Sequence, residues 1–127
     1  MSPVAIVTGG SSGIGWATAL HLAELGYDVG FTYNGGSENA ERLSVEISVL
    51  GRRTAARRLN LVDAASGAAA VDALADELGG IDAFVNNAGI NHRRDFLAMS
   101  LAEFTEVLSV NLTGAFVCAQ RAAIRNQ

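Results

Sequence analysis

The chain has 127 residues, 50% of them hydrophobic and 17% charged, a composition that fits one globular domain and excludes a disordered polymer. A formal charge of −4 without a basic stripe argues against nucleic acid as a partner, because phosphate neutralisation supplies most of that affinity. Cys118 is the single cysteine, so a disulfide within the chain and a cysteine-rich metal site are excluded, and no metal is expected.

Elements alternate along the chain. Val4 to Val7 is a short apolar run that suits a strand buried on both faces. A helix follows from Ile14, with Ala17, Leu22 and Leu25 as its apolar stripe and Gly26 as its stop. Val29 to Tyr33 reads as the second strand. Ser37 can cap a second helix that turns Ala40, Leu43, Ile47 and Leu50 inward and ends at Gly51. Thr54 to Leu59 is the third strand. Asp63 can cap a third helix carrying Val71, Leu74 and Leu78, and Gly79-Gly80 ends it. Ile81 to Val85 is the fourth strand, and Ser100 with Glu103 forms a capping box for a long last helix. Strand–helix alternation implies right-handed crossovers and a parallel sheet.

The apolar run at Val4 is too short and lacks the basic flank of a signal peptide. No stretch reads as about 20 apolar residues, so no membrane is expected and the cytoplasm is the default location. All nine basic residues are arginines. Arg52, Arg53, Arg57 and Arg58 form the one basic cluster outside the later His92-Arg93-Arg94-Asp95 loop, and read as solvated flanks of a strand. Cys118 lies in an apolar helical pattern and reads as a small buried hydrophobe. His21 reads as structural.

Chemistry concentrates after the first strand, in Thr8-Gly9-Gly10-Ser11-Ser12-Gly13-Ile14-Gly15. A glycine-rich turn between a strand and a helix is the context that gives such a loop meaning. Gly9 permits a sharp turn, Gly13 lets backbone approach a pyrophosphate, and Gly15 lets the helix pack closely. The helix N-terminus offers unpaired N–H groups and partial positive charge. A nucleoside-triphosphate loop is excluded, because Trp16 follows Gly15 where a lysine would be needed.

This octapeptide resembles the cofactor motif of the short-chain dehydrogenase/reductase family. Asn86-Asn87-Ala88-Gly89 at the end of the fourth strand is similar to the family's second hallmark, and Asn111 in Val110-Asn111-Leu112-Thr113-Gly114 to its third. The resemblance implies an α/β, Rossmann-like, doubly wound parallel sheet with strand order 3-2-1-4, truncated after the fourth strand and its following helix. It also implies hydride transfer between a nicotinamide cofactor and a carbonyl or alcohol, and a homo-oligomer. The segment Tyr33 to Arg42 and the pair Asn60-Leu61 look most like 3-oxoacyl-carrier-protein reductases and sugar dehydrogenases.

The expected cofactor contacts are Gly9, Gly10, Ser11, Ser12, Gly13, Ile14 and Gly15 in the loop, Tyr33 and Asn34 after strand two, Asn60 and Leu61 after strand three, and Asn86, Asn87, Ala88 and Gly89 after strand four. Asn86 reads equally well as a tie between strands. A residue like Asn111 helps organise the active site and a proton relay in the family, so it is the one catalytic candidate; an amide satisfied by nearby backbone is the alternative. Strand two ends in Tyr33-Asn34 with no acid for a ribose 2′-hydroxyl, which leans toward NADP over NAD, while Ser12 in place of a basic loop residue leans the other way. The 92–95 loop reads as solvated.

The resemblance further implies a serine after the next strand and a Tyr-x-x-x-Lys. The sequence has only Tyr27 and Tyr33, both early, and no lysine. Its last helix reaches Gln127 without a stop signal. An N-terminal part of an oxidoreductase, inactive alone, is therefore expected; the alternative is a nucleotide-binding or interaction module without catalysis.

Overall fold

The computed structural model describes residues 2–11, 13–90 and 95–127. Four parallel strands, β1 (Val4–Val7), β2 (Asp28–Tyr33), β3 (Thr54–Arg58) and β4 (Ala83–Val85), form one sheet in the order β3-β2-β1-β4. The intervening helices are α1 (Gly13–Glu24), α2 (Ser37–Val49) and α3 (Ser66–Leu78). After a short 3₁₀ turn at Phe96–Ala98, one long helix runs as α4 (Leu101–Leu108), a π-helical segment (Ser109–Gly114) and α5 (Ala115–Asn126).

The strands alternate between two cores. Val7, Val29 and Phe31 pack with Ala19 and Ala23 of α1 and with Leu43 and Ile47 of α2. Val4 and Ile6 pack with Val71, Leu74 and Leu78 of α3 and with Cys118 and Ala122 of α5. Helices on both faces explain why β1 is apolar throughout rather than alternating. Cys118 is fully buried, and its burial pushes the thiol pKa up.

Several local expectations need correction. The inward stripe of α1 is Gly15, Ala19 and Ala23, with Leu22 of the expected stripe partly buried against the same core; Ile14, Ala17 and Leu25 do not join it, Ile14 being 78% exposed and Leu25 63%. Small residues face the sheet because α1 lies close against it. Leu50 likewise faces outward. Gly36, with φ of 69°, caps α2 in place of Ser37, which is the first helical residue. Asp63 does not cap α3 directly: a turn intervenes, its carboxylate accepts from the Ser66 hydroxyl at 2.8 Å, and the helix starts at Ser66. β3 ends at Arg58 and β4 starts at Ala83, each shorter than expected. The Ser100–Glu103 capping box is formed, with the Glu103 N–H donating to Ser100 Oγ at 3.0 Å.

The helical stretch Leu101–Asn126 is long and apolar enough to cross a bilayer by length and composition alone, although the sequence pattern suggested no such segment. Its α5 portion lies on α3. There Arg121 donates two hydrogen bonds to Asp72 from Nε, at 2.9 and 3.1 Å, and a third at 2.8 Å from its terminal nitrogen. Arg125 approaches Asp72 at 3.6 Å and also pairs with Asp76.

Candidate functional site: a cleft at the switch point of the sheet

The chain steps from β1 to β2 to β3 on one side of β1 and then crosses to β4 on its other side, so a crevice opens beyond the carboxyl ends of β1 and β4. A cleft of about 330 Å³ lies there, walled by the loop after β1, the ends of β2 and β3, the segment after β4, and the π-helical segment.

The loop after β1 is built on backbone geometry. Gly9 has φ of 70°, and a Cβ there would lie 3.0 Å from Ala88 Cα. Its N–H donates to Thr32 Oγ1 at 3.1 Å, and the Gly10 N–H to the Thr32 carbonyl at 2.8 Å. A Cβ on Gly15 would come within 2.0 Å of the Gly9 carbonyl oxygen. Gly15 therefore allows α1 to close onto its own loop and onto the Asn87 side chain beyond β4. Gly13, at φ of 58°, has open space where a Cβ would stand. The first-turn N–H groups of α1 have no intrahelical acceptor, so the loop presents donors and the positive end of a helix dipole at one lip of the cleft.

Thr8, which the sequence analysis did not single out, organises the opposite wall. It is fully buried. Its hydroxyl accepts from the Asn87 and Ala88 N–H groups, each at 3.0 Å, and donates to Asn86 Oδ1 at 3.3 Å. Asn87 Nδ2 donates to the Gly9 carbonyl at 3.1 Å, joining the two loops. Asn86 points away from the cleft, its Nδ2 donating to the Ala115 carbonyl at 2.9 Å, so it ties β4 to α5.

The structure brings Gly9, Ser11, Tyr33, Asn34, Asn60, Leu61, Asn87, Ala88 and Gly89 together around the cleft. Gly10, Gly13, Ile14, Gly15 and Asn86 are not among the residues that line it. Ser11 Oγ donates to the Gly35 carbonyl at 3.3 Å, and Asn60 Oδ1 accepts from the Val62 N–H at 3.1 Å. Leu61 is buried beneath Gly114, where an added Cβ would meet it at 3.0 Å. Ser12, His92, Arg93 and Arg94 lie outside the described residues. Asp95 is exposed and its carbonyl starts the 3₁₀ turn.

Asn111 lies in the π-helical segment. The extra residue per turn shifts the helix phase, a feature that tends to mark functional positions. Asn111 Oδ1 accepts from the Ile90 N–H at 2.8 Å and Nδ2 donates to the Ile90 carbonyl at 2.7 Å. Backbone satisfaction is thus the role its side chain plays here. The same bonds fix the chain after Gly89, whose Cβ, if present, would lie 3.1 Å from Asn111 Oδ1.

With this geometry in place, comparison with known proteins is decisive. The sequence model of the short chain dehydrogenase family matches residues 3–125. The chain belongs to that family. It is 40% identical over 123 residues to an uncharacterized oxidoreductase, YohF, of Escherichia coli K12, covering 97% of this chain and 49% of that one. It is 39% identical over 122 residues to the 3-oxoacyl-acyl-carrier-protein reductase FabG of Staphylococcus aureus, covering 96% of this chain and 50% of that one. A short chain dehydrogenase from Burkholderia cenocepacia, solved in complex with NADP, superposes with a TM-score of 0.95 at 39% identity, covering 98% of this chain and 51% of that one. The chain spans about half the length of the curated relatives it matches.

Proposed function

We propose that the chain is the NADP(H)-binding part of an oxidoreductase that moves a hydride between nicotinamide and a carbonyl or alcohol, working as a cytoplasmic homo-oligomer. The observation that carries this reading is the cleft itself, with a glycine loop and helix N-terminus at one lip and small residues Ala88 and Gly89 at the other. When bound, the cofactor supplies the hydride; the protein supplies position. Gly13 to Gly15 would hold the pyrophosphate, Tyr33 and Asn34 the adenosine ribose, Asn60 and Leu61 the adenine, and Ala88 to Ile90 would leave room for the nicotinamide side. Asn111 would keep the Ile90 peptide in register beside it.

The lack of an acid at Tyr33-Asn34 favours NADP over NAD, and the NADP complex of the Burkholderia relative supports that choice. Calorimetric titration tests it: NADPH is expected to bind more tightly than NADH, and no heat with either, on folded protein, would contradict the reading. A second reading is a nucleotide-binding module without turnover; these 127 residues contain no lysine and no Tyr-x-x-x-Lys. A tyrosine with a pKa near 10 is a poor proton donor or acceptor at neutrality without a neighbouring cation. NADPH oxidation with ketones and 3-oxoacyl thioesters separates the two: turnover above about one per second would exclude the module.

A further inference from the structure

We propose that Arg58, at the rim of the cleft, selects the 2′-phosphate of NADP over the bare 2′-hydroxyl of NAD; the assignment rests on the dinucleotide reading above. The basic cluster around β3 divides sharply in the structure. Arg52 Nε donates to the Ala23 carbonyl at 3.2 Å and holds the end of α1. Arg53 donates to buried Asp28 at 3.1 Å and to the Leu78 carbonyl at 2.7 Å. Arg57 pairs with Glu77 at 3.2 Å. Elsewhere Arg42 lies over the Trp16 ring, and Arg121 and Arg125 pair with Asp72. Among the described arginines, Arg58 alone has no hydrogen bond, ion pair or ring contact, and it is exposed.

Its place in the sheet gives that free guanidinium a direction. Arg58 ends β3, and its register partner is Tyr33, the last residue of β2, which lines the cleft. Paired residues of neighbouring strands project to the same face, roughly 4.8 Å apart. Two residues earlier the pair Phe31–Ala56 packs on the α1–α2 side, as Tyr33 does, so Arg58 flanks Tyr33 on that side. Leu59 and Asn60, which follow it, wall the cleft. The cleft wall itself carries one charged side chain, Glu106, and no cation among the described residues. A phosphate dianion on the ribose beside Tyr33 would need a cation from the rim, and an arginine fork matches phosphate geometry.

The test is calorimetry with NADPH, NADH, 2′,5′-ADP and 5′-AMP on the wild-type chain and on Arg58→Ala, Arg58→Lys and Arg57→Ala. Arg58→Ala is expected to weaken NADPH and 2′,5′-ADP about tenfold and leave NADH and 5′-AMP unchanged. Arg58→Lys should recover part of the loss, and Arg57→Ala should leave the preference intact. Equal weakening of phosphorylated and unphosphorylated ligands by Arg58→Ala, or no weakening, would overturn the assignment. Equal wild-type affinity for NADPH and NADH would overturn it while the dinucleotide reading survives. Failure of all four ligands to bind the wild type would remove both.

Discussion

The Asn111 carboxamide clasps the Ile90 peptide from both sides, accepting from its N–H at 2.8 Å and donating to its carbonyl at 2.7 Å. Because Asn111 sits in a π-helical segment and Ile90 follows the β4 loop, this single side chain fixes the far wall of the cleft to the long helix. Asn111→Leu removes both bonds and should cost roughly 1–2 kcal/mol. It should also speed hydrogen exchange at the Ile90 amide, and Asn111→Asp, which keeps the acceptor, should fall between. Unchanged exchange at Ile90 in Asn111→Leu would show that the clasp is not what holds this segment.

The glycines of the loop should separate two requirements. Gly15→Ala places a methyl against the Gly9 carbonyl, so the loop must deform, and a loss of roughly 1–3 kcal/mol is expected in chemical denaturation. Gly13→Ala meets no protein atom but adopts a positive φ, costing about 1–2 kcal/mol. Gly13→Val, which puts a branched side chain where the pyrophosphate should approach, is expected to abolish nucleotide binding with the fold retained. Wild-type affinity in Gly13→Val would refute the placement of that phosphate.

Acid should loosen the seam between α3 and α5. Hydrogen bonding from Arg121, reinforced by the charges of Arg121 and Arg125 and partly opposed by burial, holds the Asp72 carboxyl below its ordinary pKa. A depressed folded-state pKa adds stability above the unfolded value, near 3.9, and that stability disappears as pH falls through the folded value. Asp72→Asn should therefore cost up to about 1 kcal/mol at pH 7, and its difference from wild type should shrink below about pH 4. A difference independent of pH would mean that the carboxylate charge is not what joins these helices.

Much of this architecture is legible in the sequence because its strands are buried on both faces: runs such as Val4 to Val7 and the glycines after them mark element order without knowledge of tertiary contacts. The stripe of α1 was not legible, since Gly15, Ala19 and Ala23 are small rather than conspicuously apolar, and close packing rather than hydrophobicity decides which side faces the sheet. Thr8 follows β1 and Thr32 is the penultimate residue of β2, and both look like ordinary β-branched core residues. Only the folded loops reveal that their oxygens receive the N–H groups of Gly9, Asn87 and Ala88. The signal available was a hydroxyl at the end of a buried strand, which needs a partner. The π-helical segment is likewise invisible to a 3.6-residue period, and the arginine cluster looked uniform until its partners were known.

The long helix leaves Leu101, Phe104, Leu108, Leu112 and Phe116 between 40% and 78% exposed, and clustered exposed apolar side chains favour association. Sedimentation velocity is expected to show concentration-dependent oligomers, and Phe104→Glu with Phe116→Glu should reduce them. A wild-type monomer at every concentration would contradict the expected homo-oligomer.

The most direct measurement of the central claim is the hydrogen-exchange footprint of NADPH on this chain. If the cleft is the dinucleotide site, added NADPH should protect the amides of the 9–15 loop, of Tyr33 to Gly35, of Asn60 and Leu61, and of Ala88 to Ile90. The outer faces of α2 and α5 should exchange unchanged. Protection confined to another surface, or none at saturating NADPH, would contradict the account.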